Sequence, residues 1–217
     1  MRTVGFGGLT SKTREEIDNW QRRQANEGHL RNDWYEHFYT VHFQLGPDFY
    51  TGKRLLDIGC GPRGSLVWAT SAVLRVGVDP LAESYRQFGT KDHRMSYVEG
   101  SGERLPVRDG SVDVVSSFNS LDHTDRHESV IDEIVRVLRP GGTFLLLVDI
   151  NHPATDSEPV TLGWNIVDRF QPALELVSST HFEHRGGVYQ SAYKGTPFDH
   201  ARGSERQGVL SAVFRKP

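Results

Sequence analysis

The sequence predicts an α/β fold, a doubly wound and mostly parallel sheet covered by helices on both faces, with an N-terminal helical extension. Three observations carry this reading. From Lys53 onward, short runs rich in Val, Leu and Ile alternate with polar or amphipathic stretches, the pattern of parallel strands joined by crossover helices. The first of those runs leads directly into glycines spaced G-x-G-x-x-G, at Gly59, Gly61 and Gly64. A chain of 217 residues that is 36% hydrophobic and 10% aromatic can build one full-sized core, whereas a disordered or fibrous chain would lack the apolar content to offset its entropy.

The elements follow in order. Residues 1–50 read as the helical extension and residues 51–217 as the main domain. Within the extension, residues 13–49 are polar but carry Trp20, Trp34, Tyr35, Phe38, Tyr39 and Phe43, which suits one or two amphipathic helices. Trp34, Phe38 and Val41 share a helical face, and such a stripe either packs on the main domain or roofs a ligand. Strands are expected at residues 54–59, 74–79, 95–98, 112–118 and 143–148. The clearest helix lies at residues 126–138, where Val130, Ile131, Ile134, Val135 and Leu138 form an apolar stripe that Pro140-Gly141-Gly142 is expected to end. A helix near residues 162–170 and strands at 174–182 and 208–214 complete the chain. The loop between those strands, residues 184–207, is long enough to suggest a functional role.

Charge and cysteine usage exclude several classes. Lys plus Arg number 25 against 28 Asp plus Glu, a net charge of −3, which leaves no electrostatic footprint for a nucleic-acid backbone. Cys60 is the only cysteine, so no intramolecular disulfide forms and the cytoplasm is the default compartment. The opening residues, MRTVGFGGLT, lack the apolar stretch of a secretory leader, and the longest apolar run, residues 144–148, is too short to span a bilayer. The expected partner is a small molecule, with neither nucleic acid nor membrane; a homo-oligomer is compatible with the composition.

The glycine loop fits a tight turn that lets the backbone approach a ligand at a helix N-terminus. An acid at the end of the next strand, Asp79 with Pro80 after it, suits a ribose diol, which both nicotinamide dinucleotides and S-adenosylmethionine carry. Asp57 separates the two. Two residues before the first glycine, a carboxylate would repel a pyrophosphate and attract the ammonium of a methionine moiety, unless it only caps loop amides.

With these residues in place the chain resembles a known family. LLDIGCGPRG at residues 55–64, VGVDP at 76–80, GSGERLP at 100–106, VDVVSSFNSLDH at 112–123 and RVLRPGG at 136–142 look like the successive motifs of class I S-adenosylmethionine-dependent methyltransferases, in order and spacing. The resemblance spans roughly residues 53–148. It implies a Rossmann-like sheet of seven strands with the last antiparallel, and S-adenosylmethionine as cofactor. Carried over by residue, it puts Asp57, Gly59 and Gly61 near the methionine moiety and Asp79 and Pro80 at the ribose. Ser101, Gly102 and Glu103 fall around the adenine, and Asn119 beneath the sulfonium. Ser101 departs from the Asp often found there, and a hydroxyl is the weaker acceptor. Arg63 adds a positive charge to the glycine loop, where a neighbouring carboxylate or solvent would meet it.

Methyl transfer to a hydroxyl requires alignment and a proton acceptor. His123, after the fourth strand and at the sheet's carboxyl edge, is the first candidate, with packing against the next helix as the alternative. Asp149, Asn151, His152 and Glu158 follow the fifth strand and lead to the same edge, which makes His152 and Asp149 the further candidates and a polar acceptor the expectation. No resident metal is expected. An oxygen-ligand Mg²⁺ site at Asp122, Asp149 and Asn151 is the alternative, although Ile150 interrupts the adjacent Asp-Asn usual in catechol-type enzymes. Tyr189, Tyr193, Phe198, Asp199 and His200 suit either a pocket wall or a buried hairpin. His29, His37, His42, His93, His127, His181 and His184 show no metal-ligand spacing and read as structural or solvated. Cys60 reads as a packing residue. The reading is a methyltransferase acting on an oxygen of a polar acceptor such as a sugar or specialised metabolite. The alternatives are an NAD-dependent oxidoreductase on the same glycine loop and a non-catalytic cofactor-binding subunit.

Overall fold

A computed structural model describes residues 11–156 and 158–217. The decapeptide on which the absence of a leader was read lies outside them. Seven strands form one sheet: β1 (Arg54–Ile58), β2 (Leu74–Asp79), β3 (Ser96–Glu99), β4 (Val112–Phe118), β5 (Leu138–Ile150), β6 (Glu175–Glu183) and β7 (Gly208–Arg215), in the order β3-β2-β1-β4-β5-β7-β6. The first five pair in parallel; β7 runs antiparallel to β5 and to β6. The order reverses between β1 and β4, so the crevice beyond their carboxyl ends is the natural place for a ligand.

Strand alternation sends neighbouring residues to two cores. Phe144, Leu146 and Val148 of β5 join Leu56, Val115 and Phe214 in the core beneath helix α3 (His127–Val137), whose Val130, Ile134 and Val137 are fully buried. Leu145 and Leu147 face the opposite way, toward Leu55, Val114, Phe118 and Val209. There they meet Tyr35, Phe38 and Tyr39 of α2 (Tyr35–Tyr39) and Val188 and Ala192 of α4 (Val188–Lys194). Cover on both faces leaves all seven residues of β4 buried, the polar Asp113, Ser116 and Ser117 among them.

The structure corrects four details. α2 ends at Tyr39, and Thr40 turns out of the helix, so Val41 leaves the Trp34–Phe38 face and stands 66% exposed. α3 ends at Val137 and passes straight into β5: Leu138 pairs with Val112, and Pro140-Gly141-Gly142 form an irregularity inside the strand rather than a stop before it. The Lys216 ammonium, donating to the carbonyls of Val135 at 2.6 Å and Leu138 at 2.8 Å, satisfies acceptors that the abrupt helix end leaves open. Residues 61–68 run as turns, so no helix starts at the glycine loop. The segment expected as one long loop, residues 184–207, holds α4 and a single 3₁₀ turn, His200–Arg202. Helix α1 (Ser11–Glu27) precedes α2, and no helix among the described residues is long and apolar enough to cross a membrane.

Candidate active site

The carboxyl ends of β1, β2, β4 and β5 open onto one cavity of about 1050 Å³, at the upper limit of the sites that enclose small ligands. Two glycines shape its floor. Gly59 holds a left-handed φ of +70°, and a Cβ there would stand 2.3 Å from the Cβ of Ser120. Gly61 holds φ +56° and faces the Trp20 ring, leaving the backbone bare toward the cavity. The Asp79 carboxylate closes the turn, accepting from the amides of Gly61 at 3.1 Å and Leu81 at 2.9 Å. Burial pushes its pKa up to about 6, with those amides pulling the other way. Pro80, Ser101, Gly102, Glu103 and Asn119 complete this end of the wall. Ser101 Oγ accepts from the Glu103 amide at 3.2 Å, and the Glu103 carboxylate accepts from the amide of Arg126 at 2.8 Å.

Asp57 is the expected cofactor residue that does not reach the wall. It lies behind the glycine loop, 3% exposed, where Ser65 Oγ donates at 2.5 Å and Ser116 Oγ at 2.6 Å. Burial pushes its pKa up to about 6 against these hydroxyl contacts. Arg63 meets a carboxylate, that of Glu27 at 2.5 Å, and donates to the carbonyl of Arg31 at 2.9 Å, fastening the end of α1 to the loop. Cys60 is buried against Gly77, its thiol pushed up by burial, which fits a packing role.

The other end of the cavity is carboxylate and imidazole. His123 Nε2 stands 3.3 Å from Glu158 Oε1, and His152 Nε2 stands 3.3 Å from Glu158 Oε2, so one carboxylate joins two of the three catalytic candidates. Burial works to lower the His123 imidazole. The contact with Glu158 and the charges of Asp122 and Glu158 outweigh it and hold the ring above its ordinary value. Glu158 is held low in turn, first by His123. Asp149, the third candidate, lines the cavity with His123, whereas His152 sits behind Glu158 and does not. Burial, reinforced by the charge of Asp122, pushes Asp149 up to about 7. His184, read from the sequence as structural or solvated, has its Nε2 3.9 Å from Asp149 Oδ1. The oxygen-ligand set is not assembled: the Asn151 amide donates to the carbonyls of Ser204 and Arg206, away from Asp122.

Aromatic residues roof the cavity. Trp20 comes from α1, Trp34 and Phe38 from the α2 segment, and Tyr189 and Tyr193 from α4. Phe198 and His200 instead pack with Trp164 at the far end of β6, and the Asp199 carboxylate caps the 3₁₀ turn there. Sequence reasoning did not assign Lys12, Glu16 or Tyr85 to the site, and only the fold brings them to the wall. Glu158 was legible as a polar neighbour of His152, but nothing in the spacing shows that it reaches His123.

A model of the methyltransferase domain matches residues 56–146. A probable S-adenosylmethionine-dependent methyltransferase of Mycolicibacterium smegmatis is 31% identical over 116 residues, 53% of this chain and 45% of that protein. An O-methyltransferase of Aspergillus nomiae is 34% identical over 120 residues, 52% of this chain and 53% of its own length. The chain thus spans about half or less of the length of the curated relatives it matches. Among solved structures, the [4+2]-cyclase SpnF shares the fold at a TM-score of 0.64 and 17% identity, covering 96% of both chains. Residues 56–146, which match the methyltransferase domain, hold the glycine loop left bare at Gly59 and Gly61 and the Asp79 carboxylate at the cavity wall, so in this region the chain is similar to S-adenosylmethionine-dependent methyltransferases.

Proposed function

We propose that the protein transfers a methyl group to an oxygen of a polar small molecule. One observation carries the reading: a single cavity joins the loop and carboxylate suited to a nucleoside, at Gly59, Gly61 and Asp79, to a carboxylate–imidazole end at His123, Asp149 and Glu158. The similarity to an O-methyltransferase supports oxygen as the acceptor atom. When bound, S-adenosylmethionine supplies an electrophilic methyl group. Asp79 would hold the ribose hydroxyls, Ser101, Gly102 and Glu103 the adenine end, and Asn119 the region of the sulfonium. Asp57 acts from behind, keeping the loop in shape through Ser65 and Ser116.

A hydroxyl oxygen must lose its proton as its bond to the methyl carbon forms. Asp149 is the group this proposal assigns to take that proton, because it lines the cavity and its Oδ1 is buried without a hydrogen-bond partner. The Trp34, Tyr189 and Tyr193 side chains cover the acceptor and exclude water.

The test is release of S-adenosylhomocysteine from S-adenosylmethionine against pools of hydroxylated metabolites. A pool that supports release, with Asp149→Asn lowering kcat by about 10²–10⁴ at unchanged cofactor affinity, is the expected result. Calorimetry showing tighter binding of NADH than of S-adenosylmethionine would overturn the reading. Release with Asp149→Asn within about threefold of the original kcat would remove Asp149 from the role.

A further inference from the structure

At the polar end of the cavity the protein leaves charge without partners. Asp122 is 1% exposed, and neither of its carboxylate oxygens meets a hydrogen-bond donor. His123 Nε2 and Asp149 Oδ1 are likewise buried without a hydrogen bond, although Glu158 and His184 stand within ion-pair distance of them, so four of the six such side-chain atoms among the described residues gather at this one place. Burying a bare carboxylate costs several kcal/mol, and native proteins rarely tolerate it without a compensating group. The Lys12 ammonium does not compensate by a hydrogen bond: it donates to the carbonyl of His123 at 2.5 Å and pairs with Asp125. The imidazole of His123 is close enough to act on Asp122 through its charge, but its Nε2 faces Glu158 at 3.3 Å and gives Asp122 no hydrogen bond.

We propose that Asp122, His123 and Glu158 form a binding site for a first-row divalent cation of the zinc, manganese or iron(II) class. One ligand atom from each lies within 4.8 Å of the other two, among residues that are buried or half-buried. Two donors about 2.1 Å from one ion at a tetrahedral angle stand about 3.4 Å apart, close to the 3.3 Å between His123 Nε2 and Glu158 Oε1. A set of one imidazole and two carboxylates favours these metals over Mg²⁺ or Ca²⁺, which take oxygen ligands. His152, against the second oxygen of Glu158, is the outer partner that orients a ligand carboxylate. The site is new relative to the oxygen set at Asp122, Asp149 and Asn151, since Asn151 is turned away.

The binding site stands independently of the methyl-transfer reading; its consequence for catalysis rests on that reading. A cation between His123 and Glu158 would face the acceptor. A hydroxyl oxygen coordinated to it is more acidic, so the O–H bond breaks with its proton passing to Asp149 as the oxygen forms its bond to the methyl carbon and the carbon–sulfur bond breaks.

The experiment uses untagged protein stripped with a chelator and dialysed, then titrated by calorimetry with Zn²⁺ and with Mn²⁺ in separate runs. Metal content of the protein as purified is read by mass spectrometry. One equivalent bound is expected, weakened by about a hundredfold or more in His123→Ala and Glu158→Gln and by about 10–100-fold in His152→Ala. Co²⁺ should give a visible absorption band that both ligand variants lose. No stoichiometric binding by the original protein overturns the proposal and leaves a protonated Asp122 as the resolution of its burial. Binding that survives in both folded ligand variants overturns it equally. Calorimetry with S-adenosylmethionine on the stripped protein separates the two readings: failure there removes the cofactor assignment and leaves the cation site standing.

Discussion

Asp57 and Asp79 lie near the carboxyl ends of neighbouring strands and are both nearly inaccessible, yet they touch different things. Asp79 accepts two loop amides at the cavity wall, whereas Asp57 accepts two serine hydroxyls behind it. Asp79→Ala should therefore weaken S-adenosylmethionine binding by about 2 kcal/mol, the loss of hydrogen bonds to a charged group, in a protein that still folds. Unchanged affinity by calorimetry would remove Asp79 from the ribose. For Asp57 the expected effect is on stability. Burial raises both carboxyls to about 6 in the folded protein, so between about pH 4 and pH 6 the folded state retains protons that the unfolded chain releases. Stability of the cofactor-free protein should fall as pH rises through that window. Asp57→Asn removes one of the two charges and should melt higher than the original at pH 8, by an amount on the order of 1–3 kcal/mol, with the gain gone near pH 4. A gain that is the same at both pH values would show that the carboxylate charge is not its source. Asp57 also shows how far residue type is legible. Its acidity and its place before Gly59 are in the sequence, but that Ser65 and Ser116 claim it is decided by a strand 59 residues away.

At the scale of elements, the glycine loop and the end of α3 each depend on one local device. Gly59 combines a left-handed backbone with an approach to Ser120 that leaves no room for a methyl group, whereas Gly110, at φ +57°, has nothing within 4 Å. Gly110→Ala should cost only the conformational strain, about 1–2 kcal/mol. Gly59→Ala adds displacement of β4's trailing turn to the same strain and should cost more than that. Urea unfolding of the two variants compares them directly, and equal losses would show that Ser120 gives way freely. The C-terminus of α3 is held by Lys216, and Lys216→Met should lose about 1–2 kcal/mol by leaving two carbonyls without that donor. The helix itself was legible from its 3.6-residue apolar period. Its stop was not, because Pro140-Gly141-Gly142 serves equally as a breaker and as a kink in a strand, and pairing of Leu138 with Val112 selects the second.

At the scale of the whole molecule, a ligand that enters the cavity binds only the folded chain, since the wall draws on α1, four strand ends and α4. S-adenosylmethionine at a hundred times its Kd should stabilise the protein by about 2.7 kcal/mol and raise Tm by about 5–11 °C, while NADH at the same concentration should leave Tm unchanged. A larger shift with NADH would contradict S-adenosylmethionine as the cofactor. The sheet and its cofactor loop were determined by the sequence alone, because period-two and period-3.6 patterning, turn glycines and an acid at a strand end are local properties that survive in a linear string. Tertiary structure alone decided the rest. Glu158 joins His123 to His152 across 35 residues, His184 returns from beyond β6 to Asp149, and Lys12 reaches back to the carbonyl of His123. None of these meetings has a spacing rule. They arise because parallel strands deliver their following loops to a common edge, and because burial there raises or lowers each group according to neighbours that are close only after the sheet has closed.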